Sequence, residues 1–284
     1  MRFARYWALA ETDSPAAAQC WRWSDQSQED ARRQAEEAVQ KLARRIAESG
    51  HPAERYGYAD RPLREPVLQS LEGADGSDLV LVTRNSYGAL ILNTASALFV
   101  DIDLPATTRA ASGGGLLKRW FGRSATPSEP LLDPAAQARE RAAAWAAARP
   151  GWGWRVYRTA AGLRLLATHA PFHPHDEAVA QVFEATGADP LYRRLCRLQE
   201  SFRARLTPKP WRCRMENPPR WPFRTERAEQ AFGQWQSRYE AVSARHAVCR
   251  FEGTLGSETI HAELIPVVRM HDDLTRAQTD LPLA

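Results

Sequence analysis

Hydrophobic positions along the chain fall into two rhythms. Over residues 28–49, Ala31, Ala35, Ala38, Val39, Leu42 and Ile46 recur every three or four positions among charged residues. That spacing predicts an amphipathic helix, with Ser27 placed to cap its start and Gly50 to stop it. Over residues 78–105 the chain reads DLVLVTRNSYGALILNTASALFVDIDLP, three short apolar runs parted by NSYG and NTAS. Short runs separated by turn-forming residues predict a three-stranded meander.

The flanks extend both patterns. Residues 2–11 and 19–24 predict two strands around a turn-rich TDSPAAA. An Ala-rich helix is predicted from Pro134, a residue suited to the first turn, to about Ala148. Residues 153–159 and 163–169 predict a hairpin closed by Ala160-Ala161-Gly162. Further helices are predicted over 174–186, 190–206 and 225–243, and the tail as a hairpin through LGSE with a strand ending at His271-Asp272-Asp273. Mingled strands and helices of this kind predict a single α+β domain with a mixed or antiparallel sheet and helices packed on it. A mobile loop insertion is expected over about 106–133, where GGG, small polar residues and the patch LLKRWFGR occur.

Bulk properties narrow the class. A chain of 284 residues, 44% hydrophobic, can bury a substantial core. No apolar run has transmembrane length, and MRFARYWALAE is too short and polar for a signal peptide, so a cytoplasmic protein without a membrane partner is expected. The net charge of +4 permits a nucleic-acid partner without demanding one. Arg dominates the cations, since Lys occurs only at Lys41, Lys118 and Lys209. Several of the ten Trp lie beside Arg, as in Trp211–Arg212 and Arg220–Trp221. Such pairs suit phosphate binding and base stacking, and equally ordinary cation–π packing. Cys196, Cys213, His246 and Cys249 could together form a Cys3His zinc site, but the loose spacing favours buried free thiols.

The chemistry concentrates in LFVDIDLP, residues 98–105, where two carboxylates interrupt an apolar strand. In an extended strand Asp101 and Asp103 share one face, their Cα atoms about 6.5–7 Å apart. Phe99 joins that face, and Val100, Ile102 and Leu104 take the other. Two such carboxylates repel unless a cation lies between them. Mg²⁺ or Mn²⁺ held by Asp101 and Asp103 is one solution, because hard ions prefer oxygen ligands and are often shared with phosphates. An Arg paired with one acid, or simple exposure at the strand's end, is the other.

The order of a DxD strand, the hairpin Thr159-Ala160-Ala161-Gly162-Leu163-Arg164 and a carboxylate near position 272 resembles the archaeo-eukaryotic primase–polymerase superfamily. The likeness covers about residues 79–105, 151–170 and 258–273. It implies an RRM-like catalytic core, with Asp101, Asp103 and Asp272 as catalytic acids and Asp101 and Asp103 as metal ligands. It also puts the turn bearing Thr159 at the nucleotide. Where that superfamily has a histidine after the glycine, this chain has Arg164. The next histidine, His169, lies five residues on and faces the other way.

A second feature is SFRARLTPKPWRCR, residues 201–214. Arg203, Arg205, Lys209, Arg212 and Arg214 surround Trp211 with no acid among them, and prolines stiffen the run. A stiff cationic segment with an aromatic can follow a nucleic-acid backbone and stack a base. One of its arginines could instead neutralise the aspartate pair. HAPFHPHDE, residues 169–177, could ligate a transition metal or simply form a loop before a helix. No GxSxG, Walker-type phosphate loop or GxGxxG occurs, which counts against serine hydrolase, P-loop and simple Rossmann readings.

The resulting expectation is a divalent-metal-dependent nucleotidyl-transfer enzyme of primase–polymerase type. Asp101, Asp103 and Asp272 carry its chemistry. Thr159, Arg164, His169, Arg203, Arg205, Lys209 and Arg212 bind a nucleotide or single-stranded nucleic acid. The alternatives are a non-catalytic nucleic-acid or partner-binding protein on the same scaffold, and a metal-dependent nuclease.

Overall fold

A computed structural model describes residues 1, 3–49, 62–104 and 133–284. The expected stop at Gly50 and nearly all of the expected loop at 106–133 lie outside these residues. The fold is α+β, and every strand pair within its three sheets is antiparallel.

The chain begins with a hairpin, β1 (Tyr6–Thr12) and β2 (Ala18–Ser24), followed by α1 (Gln28–Ser49). The Ser27 hydroxyl accepts the Asp30 N–H at 3.0 Å, which caps the helix as its sequence suggests. Ala31, Ala35 and Val39 of α1 pack on Ala8 and Ala10 of β1 in a small core of their own. An ion pair between Glu11 and Arg224 ties this unit to the rest of the molecule.

The next strands are β3 (Val67–Glu72), β4 (Asp78–Arg84), β5 (Leu90–Thr94) and β6 (Phe99–Asp103). Then come α2 (Pro134–Ala147), β7 (Gly153–Thr159), β8 (Gly162–Ala167), α3 (Glu177–Thr186) and α4 (Pro190–Gln199). The chain closes with β9 (Phe202–Arg205), a 3-10 turn at Pro210–Cys213, α5 (Glu226–Ser243), β10 (Cys249–Gly256) and α6 (Ile265–Thr275). One four-stranded sheet has the order β10-β7-β8-β6 and the other β3-β4-β5-β9. Their apolar faces share the main core, which includes Leu92, Phe99, Val100, Trp154, Leu165 and Phe202. No helix among the described residues is long and apolar enough to cross a membrane.

Two elements differ from expectation. The helix expected to run from 190 to 206 stops at Gln199, because Glu200 turns into the left-handed region at φ 50°. The residues after it extend and pair with β5 as β9. The strand expected to end at 271–273 is helix α6. Its buried residues Val267, Val268, His271, Asp272 and Thr275 follow a helical spacing, and Pro266 sits in the first turn where it forfeits no hydrogen bond.

Candidate functional site

A cavity of about 600 Å³ opens where β6 of one sheet approaches β9 of the other. Asp101 and Asp103 line it together, the buried Val100 and Ile102 anchoring the opposite side of their strand. The hairpin brings Thr159, Ala161 and Arg164 to the same wall. The close pass of β8 beside β6 depends on Gly162: a Cβ there would lie 2.0 Å from the Ile102 carbonyl oxygen. Arg205 arrives from the end of β9, and Lys209 and Arg212 from the proline-rich segment beyond it.

Asp101 and Arg164 stand directly opposite in the β6–β8 register. The guanidinium of Arg164 grips the carboxylate through Nε (2.7 Å to Oδ1) and Nη2 (3.2 Å to Oδ2). Burial opposes ionisation of Asp101, but the charge and hydrogen bonds of Arg164 outweigh it and hold the carboxyl below its ordinary value. Burial likewise opposes the charge on Arg164, and Asp101 more than compensates, so its pKa rises. The arginine that grips Asp101 therefore comes from the hairpin, and from the 203–214 run Arg205 adds only a more distant charge.

Arg164 also begins a buried polar chain. Its Nη1 donates to the Arg205 carbonyl (3.0 Å), which joins the two sheets, and lies 3.3 Å from His271 Nε2. A guanidinium can only donate, so Nε2 accepts and His271 carries its proton on Nδ1, facing Asp272 Oδ1 at 3.1 Å. Burial keeps His271 neutral and pulls its pKa down to about 4. Asp272 further accepts from the Tyr157 hydroxyl (2.7 Å) and pairs with Arg155.

Asp272 thus sits in the middle of α6, buried and fully engaged, away from the cavity rather than at a strand end beside Asp101. His169 also lies elsewhere: it packs on Trp152 and Phe172, and its Nδ1 accepts the Gly153 N–H. Arg203 turns to Glu65, which it grips with two bonds of 2.8 and 2.9 Å, away from the cavity. His173 and His175 stack in the exposed loop before α3, where Asp176 accepts the His173 N–H. The four residues of the conceivable zinc site do not gather into one cluster. Cys213 meets His246, Cys249 meets His271, and Cys196 packs by Tyr192 with its thiol pushed up to about 12 by burial.

Sequence reasoning missed Tyr87, Asp189 and Arg194 on the cavity wall, and His271 as the link between the Arg164 and Asp272 clusters. Asp189 and Arg194 had one available signal: Asp-Pro opens a helix, and α4 presents that first turn to the cavity. Tyr87 had none.

Five cations line the cavity (Arg164, Arg194, Arg205, Lys209, Arg212) against three carboxylates (Asp101, Asp103, Asp189). Asp101 is spent on Arg164, and Asp189 caps α4 by accepting the Tyr192 N–H at 2.7 Å. Asp103 is exposed and makes no ion pair with a described residue. Neither do Arg205, Lys209 or Arg212. These three crowd one another. Burial first, then Arg205 and Arg212, hold Lys209 below the ordinary lysine value, and the aspartates only partly offset them. Burial and Arg205 lower Arg212 in the same way.

Such a site favours an incoming anion, whose charge would relieve the crowding. It suits a bare divalent cation poorly, because both Asp101 oxygens face a guanidinium and Asp103 is a single ligand. Among the described residues no group of three or more His, Cys, Asp or Glu side chains could hold a metal ion. No family model matches the chain, and no curated protein or solved structure matches it either.

Proposed function

We propose that this cavity binds the phosphate groups of a nucleotide or of single-stranded nucleic acid, on a scaffold resembling that of the primase–polymerases. The observation that carries the reading is the convergence of Arg205, Lys209 and Arg212, each without an ion-pair partner among the described residues, on one hollow. A guanidinium fork suits phosphate oxygens, and Lys209 adds a point charge. Thr159 stands at the rim as a hydroxyl donor.

Binding of ATP by calorimetry and of a labelled oligonucleotide by fluorescence anisotropy tests this reading. Arg205→Ala or Arg212→Ala should weaken binding about tenfold at low salt. Each should also reduce the slope of log affinity against log salt by roughly one for an oligonucleotide. Affinity that ignores both substitutions contradicts it.

A catalytic reading is favoured by one observation, that Asp101 and Asp103 line the same cavity. Mn²⁺-dependent nucleotide incorporation or oligonucleotide cleavage, lost in Asp103→Asn, would establish it.

A further inference from the structure

Beside the cation cluster stands an aromatic that the fold leaves half in solvent. Trp211 is 51% exposed, the most of any tryptophan in the described chain. It lies in the 3-10 turn Pro210–Cys213, between Lys209 and Arg212, both of which line the cavity. The turn is closed by the Met215 N–H donating to the Pro210 carbonyl (3.0 Å), so the indole is presented on fixed backbone. Tyr87 packs on it edge-to-face, with ring centroids 5.2 Å apart and planes at 64°, the Lys209 ammonium lies over the indole ring 5.6 Å from its centroid, and Tyr87 itself reaches the cavity wall. Asn85 holds the Tyr87 turn by accepting the Tyr87 N–H on its side chain (3.2 Å) and the Gly88 N–H on its carbonyl (2.9 Å). Trp211 is absent from the main core, and half of its indole stays in water on a stiff turn. Against a flat π surface it gains stacking energy, and its own chain neighbours supply the charge for a phosphate.

We propose that Trp211, braced by Tyr87, is a stacking platform for a nucleobase whose phosphates occupy the Arg205–Lys209–Arg212 cavity. This rests on the phosphate reading above and deepens it, giving the base of that ligand a place beside the cavity that holds its phosphates.

The test uses the full chain and three probes: a labelled oligothymidylate, ATP and inorganic tripolyphosphate. Trp211→Ala should weaken binding of the oligonucleotide or ATP roughly five- to a hundredfold and leave tripolyphosphate unchanged. Trp211→Phe should restore most of the loss. Whether the oligonucleotide or ATP binds more tightly distinguishes a nucleic-acid strand from a free nucleotide, and either result supports the platform. If Trp211→Ala binds the base-bearing probes as well as the unaltered chain, or loses tripolyphosphate in parallel, the platform is overturned and the phosphate site stands. If tripolyphosphate does not bind the unaltered chain, both fall. Thermal unfolding of the variants checks that the half-exposed position has left the fold intact.

Discussion

At the scale of single residues, Asp101 and Arg164 are unequally placed. The arginine side chain is 1% exposed, the aspartate 36%. Asp101→Asn therefore strands a buried guanidinium and should destabilise the protein by about 3 kcal/mol, near the low end for broken buried pairs because Asp101 keeps some water. Asp103→Asn, at an exposed carboxylate, should stay within about 0.5 kcal/mol. Urea unfolding of the two variants checks the contrast, and equal effects would refute it. The DxD pair was legible in the sequence, and so was its need for a positive partner. Which partner was not, because register pairs Asp101 with Arg164 across 63 positions. His271 gives a second handle. Burial chiefly, with Arg164 adding to it and Asp272 opposing, holds its pKa near 4, below the ordinary 6.5. The unfolded chain thus takes up a proton that the native state resists. Stability from this group is full above pH 6.5 and falls as pH drops toward 4. His271→Gln should flatten that decline in midpoint temperature. Burial lowers His169 in the same direction, so the difference between the two chains isolates His271.

Among the elements, those with a clean rhythm were readable. The 3.6-residue period gave α1, and the runs broken by NSYG and NTAS gave β4, β5 and β6. The segments misread had signals that pointed two ways. No glycine or proline announces the end of α4, since Glu200 itself adopts the left-handed turn. In α6 the β-branched Ile265, Val267 and Val268 suggest a strand, although the buried positions 267, 268, 271, 272 and 275 carry a helical period. Packing against the sheet decides such cases. The β7–β8 hairpin was readable down to its glycine, and that glycine bears a specific load. A side chain at Gly162 would collide with the Ile102 backbone and push β6 from β8. Gly162→Ala should cost about 1–3 kcal/mol of stability, the range for overpacking, and weaken phosphate binding as the cavity wall shifts. A variant as stable as the parent in urea would show that β6 can yield without loss.

For the molecule as a whole, the cavity exists because two sheets meet edge to edge. Asp101 and Arg205 belong to different sheets and lie more than a hundred positions apart in the chain, yet Arg164 bonds both of them. Nothing in local composition encodes that meeting. The 203–214 run was visible as a cationic segment, but only the pairing of β9 with β5 turns Arg205 to the cavity while Glu65 draws Arg203 away. The crowding that results has a measurable consequence at Lys209. Burial and its arginine neighbours hold its ammonium below the ordinary lysine value. A bound phosphate adds negative charge beside it and raises that value, so binding on the alkaline side is coupled to proton uptake. Affinity for tripolyphosphate should be level near neutrality and fall as pH climbs through the depressed Lys209 value, earlier than an ordinary lysine would allow. Lys209→Arg, which keeps its charge throughout, should extend the level region. Calorimetric titrations across pH distinguish the cases. An identical alkaline fall in both chains would mean that Lys209 does not touch the anion, and that Arg205 and Arg212 hold it alone.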